Sequence, residues 1–189
     1  MRERLVESAE IKRQLAEKGA KDILEAADMA VACLKSGGKI LFCGNGGSAA
    51  DSQHLAAEIV GRFRLNRSGL AAVALTTDTS ILTAMANDYG FDDVFRRQVE
   101  ALGREGDLLV ALSTSGRSPG IVKAAEQARQ AGLRVIAMTG EDPGPLGAVS
   151  NLAIRVPSRD TARIQESHIA AGHLICDLVE RAFFETSAG

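Results

Sequence analysis

The chain has 189 residues, long enough to bury the core of one domain, and its 46% hydrophobic and 24% charged content is that of a soluble globular protein. A formal net charge of −2 provides no basic field to recruit nucleic acid, and no apolar run approaches a membrane span. Three widely spaced cysteines, Cys33, Cys43 and Cys176, fit neither zinc-finger spacing nor a disulfide framework and read as free buried thiols in a reducing cytoplasm.

The first 36 residues are charged and amphipathic, without the apolar core of a leader peptide. Leu5, Val6, Ile11, Leu15, Ile23, Leu24, Ala27, Val31 and Leu34 follow helical spacing, with a break expected near Gly19. "SGGK" (36–39) ends this segment, which is set apart as an N-terminal helical unit for oligomerisation (1–36) ahead of the main domain (37–189). Short apolar strands then alternate with helices. "KILFC" (39–43) is followed by a helix from Ser48. "AAVALT" (71–76) is followed by helices near 79–87 and 92–102. "DLLVAL" (107–112) precedes a helix over 119–131. "RVIAMT" (134–139), a Gly/Pro-rich connection, "LAIRV" (152–156) and a closing helix over 161–185 complete the chain. This order predicts a three-layer α/β/α sandwich around a five-stranded parallel, flavodoxin-like sheet. Its crossovers are right-handed and its ligands lie beyond the carboxyl ends of the strands.

Two loops fall at those ends. "LSTSGRSPG" (112–120) offers the hydroxyls of Ser113, Thr114, Ser115 and Ser118 beside a helix start, with Ser118 as expected N-cap and Pro119 in the first turn. Hydroxyls and free backbone N–H groups at a helix N-terminus suit a phosphate dianion. "CGNGGS" (43–48) can be aligned with a dinucleotide fingerprint as Gly44-x-Gly46-x-x-Ala49. The nearest acid for a ribose, Asp78, lies too far along, and no Walker lysine is present, so the loop reads as a backbone nest over a polar ligand.

His54 and Glu58 stand four apart and share a helix face, a spacing that can chelate one divalent ion or simply be an exposed polar pair. On the closing helix the candidates are Gln165, His168 and His173. His168 and His173 are about 140° apart around the axis and do not share a face. Gln165 and His173 are separated by about 80° and about 12 Å, an awkward span for one ion unless the helix loosens at Gln165 or a neighbouring subunit completes the site. The basic stretch "GRFRLNR" (61–67) reads as a solvated face.

"CGNGGSAADSQHLAAEIVGRF", "LTTDTSILTAMANDYGF", "STSGRS" and "RIQESHIAAGH" together resemble the phosphoheptose isomerases of the sugar isomerase domain superfamily, over roughly residues 38–185. The resemblance implies an aldose–ketose isomerase acting on a phosphorylated seven-carbon sugar, sedoheptulose 7-phosphate. The product would be D-glycero-D-manno-heptose 7-phosphate, on the way to the ADP-heptose of lipopolysaccharide core. It implies a cytoplasmic homotetramer with one zinc per subunit, sites between subunits, and neither nucleic acid nor membrane as partner. Carried over by position, His54, Glu58, Gln165 and His173 look like zinc ligands. Asn45, Gly46, Gly47, Asn87, Asp88, Ser113, Thr114, Ser115 and Ser118 look like substrate contacts, with Glu58 and Gln165 also facing the substrate. Glu58 is the expected base and His173 the expected acid. The alternative is a non-catalytic relative of the same superfamily that associates with a replication initiator. That relative lacks the carboxylate at the position of Glu58 and the histidine at that of His173, and this chain keeps both.

Overall fold

The computed structural model describes residues 1–185. A long helix α1 (Arg2–Lys35) leads into β1 (Ile40–Gly44), α2 (Gly47–Val60), β2 (Ala72–Ala74) and α3 (Thr79–Tyr89). After a 3-10 turn at Phe91–Asp93 come α4 (Val94–Leu102), β3 (Leu108–Leu112), α5 (Pro119–Gln130) and β4 (Arg134–Thr139). The chain closes with α6 (Gly144–Val149), β5 (Leu152–Arg155) and α7 (Thr161–Phe184).

All strand pairs are parallel and the sheet order is β2-β1-β3-β4-β5, the doubly wound order expected from the alternation of elements. Burial on both faces explains the continuous apolar strands. Ile40, Phe42, Leu108, Val110, Ile136 and Met138 face a core shared with α1, α2 and α7. Their neighbours Leu41, Cys43, Leu109, Ala111, Val135 and Ala137 face a second core with α4, α5 and α6. The order reverses between β1 and β3, so the loops after these two strands flank the switch point.

Two local expectations are corrected. The first helix runs unbroken through Gly19, which is buried on its packed side. A glycine costs about 1 kcal/mol in a helix interior, and a helix this long with a buried apolar stripe absorbs it. Residues 144–149, expected as irregular connection, form α6, whose Gly144, Pro145 and Gly147 give no propensity signal. Leu146 anchors this helix in the core, and its N–H donates to the Gly116 carbonyl at 3.1 Å, bracing the serine loop from behind. Asp78, set aside as a ribose acid because it lies too far along the chain, caps α3, accepting from the Ile81 N–H at 2.9 Å.

Candidate active site

β1 delivers the chain into a tight turn at Asn45-Gly46. Gly46 has φ +57°, a conformation that suits glycine, and it opens α2 at once. Asp51, His54 and Glu58 then lie at offsets of three and seven along α2, on one face. That face meets α7. Gly172 lies against Leu55, where a Cβ would stand only 2.6 Å from Leu55 Cδ2, so the two helices approach closely beside His173.

The result is a convergence of side chains from two distant segments. His54 Nε2 is 2.8 Å from His173 Nε2 and 3.2 Å from Glu58 Oε1. Among the described residues these three form a group whose ligand atoms all lie within 4.8 Å of one another. Two imidazoles meeting through Nε2 can share only one proton, and a cation would take both lone pairs. On a tetrahedral ion with Zn–N bonds of about 2.0–2.1 Å the two nitrogens would stand about 3.3 Å apart, a small opening from the distance seen. Two imidazoles and a carboxylate are a donor set for a divalent transition metal, so the residues fit the implied ion. Phe63 covers the other side of His173, with ring centroids 5.6 Å apart.

Gln165 precedes His173 by eight residues on α7 and reaches α2 at Asp51, about one turn before His54. Its amide Nε2 donates to Asp51 Oδ1 at 2.6 Å, and its stem rests over Gly47. Asp51 is buried, and burial pushes its carboxyl up against the opposing pull of the Gln165 hydrogen bond and of His54 and His173. Its Oδ2 is buried without a hydrogen-bond partner. Asp51 carried no motif signal of its own. His168 lies on another face of α7, fully buried, with Nε2 at 3.1 Å from the Thr139 carbonyl. Burial holds its imidazole down at about 4, so it is neutral and structural. All three thiols are pushed up by burial, Cys33 to about 11 and Cys43 and Cys176 to about 12, and are not nucleophiles at neutral pH.

The two loops at the switch point are joined: Asn45 Nδ2 donates to Ser118 Oγ at 3.0 Å. Ser118 occupies the N-cap position of α5, yet its hydroxyl makes no cap bond, which corrects the expected capping role. At the start of α5, Pro119 has no N–H, and the Ile121 and Val122 N–H groups donate to the Ser118 carbonyl at 3.1 and 3.0 Å, so the helix offers a ligand the Gly120 N–H alone in its first turn. Ser113 is held by its N–H to the Met138 carbonyl at 3.0 Å, and the Thr114 carbonyl accepts from Gly140 N–H at 3.0 Å. Ser115 Oγ accepts from the Arg117 N–H at 3.2 Å. A cleft of about 380 Å³ opens beside Thr114 and Ser115 and runs to Ser158 and Thr161. Asn87 and Asp88 stand apart from these groups on exposed α3, the Asn87 amide donating to Asp88 at 2.8 Å.

The basic stretch 61–67 is corrected at Arg67. Its side chain is 2% exposed and pairs with the equally buried Glu180 of α7 at 2.8 Å. Burial pushes the Glu180 carboxyl up, but N–H donors from Phe63, Arg64 and Leu65 and the Arg67 guanidinium outweigh it and hold the group at about 2. Arg67 also donates to the carbonyls of Glu58 at 2.8 Å and Ile59 at 3.0 Å. The pair therefore fastens the end of α2 and the segment that carries Phe63 onto His173.

The doubly wound sheet with a hydroxyl loop at its switch point is that of a SIS-domain protein: the family model described as SIS domain matches residues 5–140, from α1 through β4. A phosphoheptose isomerase of Akkermansia muciniphila is 59% identical over 165 residues, 87% of each chain. The solved phosphoheptose isomerase of Neisseria gonorrhoeae superposes with a TM-score of 0.89 at 48% identity, covering 94% of this chain and 95% of that one. That of Francisella tularensis gives 0.92 at 39% identity, over 95% and 96%. The chain belongs to the phosphoheptose isomerase family.

Proposed function

We propose that the chain interconverts sedoheptulose 7-phosphate and D-glycero-D-manno-heptose 7-phosphate through an enediol, supplying a heptose precursor of lipopolysaccharide core. The convergence of His54, Glu58 and His173 carries this reading, because it unites a base, an acid and a metal-binding set, with His54 and Glu58 on the helix that starts at the loop hydrogen-bonded to the serine loop. It also favours the enzyme over a replication-initiator-binding relative, which needs no such set.

The conversion moves one proton between C1 and C2 and rearranges protons on the two oxygens. Glu58 is the base: its carboxylate takes the proton from one carbon and returns it to the other. His173 is the acid and exchanges a proton with the substrate oxygens, Phe63 packing its ring in place. Zinc, one per subunit, would be held by His54, Glu58, His173 and Gln165 and would polarise the carbonyl when bound. Ser113, Thr114, Ser115 and Ser118 hold the phosphate and fix the open chain in register. Asn45, Gly46 and Gly47 close over the sugar.

Exposed Leu5, Val6 and Leu24 on α1, Ile81 and Tyr89 on α3, and Leu174 on α7 support a homotetramer with α1 as an assembly element. In it Asn87 and Asp88 would serve a site shared with a neighbouring chain. No helix among the described residues is long and apolar enough to cross a membrane, and the three protonated thiols suit a cytoplasmic enzyme. The test is conversion of sedoheptulose 7-phosphate by purified chain; zinc-loaded, folded protein that leaves the ketose unchanged refutes the proposal.

A further inference from the structure

We propose that Asp51 is a positioning residue that fixes the sense of the Gln165 amide, so that the carbonyl oxygen, not the nitrogen, is offered to the metal. The inference rests on the metal reading above.

Asp51 is 5% exposed and sits on the same α2 face as His54 and Glu58. Its oxygens are not part of the group formed by His54, Glu58 and His173, so it acts on the ion through another residue. That residue is Gln165, whose Nε2 donates to Asp51 Oδ1 at 2.6 Å. In this contact Asp51 Oδ1 is the acceptor and takes the NH2 end of the amide, which turns the carbonyl end away from Asp51. A cation makes the opposite choice and takes the carbonyl oxygen. Binding Nε2 to Asp51 therefore leaves Oε1 as the ligating atom, and no hydrogen bond among the described residues occupies it. The backbone at Gly47 bounds the amide on another side: a Cβ there would stand 3.4 Å from Gln165 Cγ and 3.6 Å from Cδ. The second Asp51 oxygen, buried and unpartnered, is a cost without return unless the carboxylate serves the site. Partners of this kind, one bond behind a ligand, commonly change metal affinity 10–100-fold.

The test is a zinc competition titration against a chromogenic chelator, with apo-protein melting measured in parallel. Asp51→Asn offers its own NH2 to the amide and invites it to turn over. It is expected to weaken zinc about 10–100-fold while the apo protein melts close to the wild type. In a Gln165→Ala background the same change is expected to add little. Asp51→Glu, which keeps an acceptor-only carboxylate, is expected to retain more affinity than Asp51→Asn. Wild-type affinity in Asp51→Asn overturns the inference. So does an equal further loss on top of Gln165→Ala, which would mark a pure charge effect, and so does the reverse order of Asn and Glu. Wild-type protein that takes up no zinc overturns the metal reading and this inference with it; uptake untouched by Asp51→Asn overturns the inference alone.

Discussion

Glu58 is asked to be both a metal ligand and a base, and one substitution separates the tasks. Glu58→Gln retains a neutral oxygen donor and loses the basic carboxylate. Turnover is expected to fall by about 10²–10⁴ with zinc largely retained. Zinc analysis beside kcat checks this: full turnover sinks the base, and lost zinc with lost turnover moves Glu58 to the ligand role. Ser115→Ala is expected to raise KM for the phosphosugar with little change in kcat, and an unchanged KM removes the hydroxyl from phosphate binding. His168 makes a pH prediction. Its folded pKa of about 4 lies below the 6.5 of the free side chain. Its contribution is therefore present above pH 6.5 and is lost as pH falls towards 4, up to about 3 kcal/mol. Urea unfolding at pH 7 and 4.5 is expected to show a shallower pH dependence in His168→Asn than in the wild type; equal slopes contradict the assignment. The local i, i+4 spacing of His54 and Glu58 was legible in the sequence because it depends only on helix geometry. Asp51 was not, because its meaning comes from Gln165, 114 positions away.

The α2–α7 contact makes the site, and two features hold it. One is Gly172 against Leu55. Gly172→Ala inserts a methyl into a closed seam, with an expected loss of about 1–3 kcal/mol and weaker zinc uptake as His173 is displaced from His54. Thermal unfolding and zinc titration check both halves, and a variant with unaltered zinc affinity contradicts the role given to this seam. The other is the Arg67–Glu180 pair. Removing one partner, as in Glu180→Gln, leaves a buried, charged guanidinium without its opposing carboxylate and is expected to cost about 3–5 kcal/mol in urea unfolding. The parallel strands and most helices could be read from apolar runs and turn residues. α6 could not, because tertiary anchoring through Leu146 overrides its Gly and Pro content. Arg67 reads as a surface cation locally and becomes internal only because α7 brings Glu180 to it. The Gln165–His173 span persists in the fold, where α7 runs unbroken through both: His173 meets His54 and Glu58, while Gln165 meets Asp51 one turn earlier on α2.

For the whole molecule, the sheet order determines which loops can cooperate. The Asn45–Ser118 hydrogen bond is the direct product of β1 and β3 lying side by side. Exposed apolar residues on α1, α3 and α7 lead to the expectation of a tetramer by light scattering, and a monodisperse monomer at micromolar concentration would contradict it. The proposed activity of the molecule is metal-dependent isomerisation of a phosphorylated heptose. Its most direct test is a coupled assay of sedoheptulose 7-phosphate with chelator-treated chain before and after zinc is restored. Conversion to the aldose 7-phosphate is expected to collapse on metal removal and to return with zinc. Full conversion by the metal-free protein, or none by the zinc-loaded protein, would contradict it.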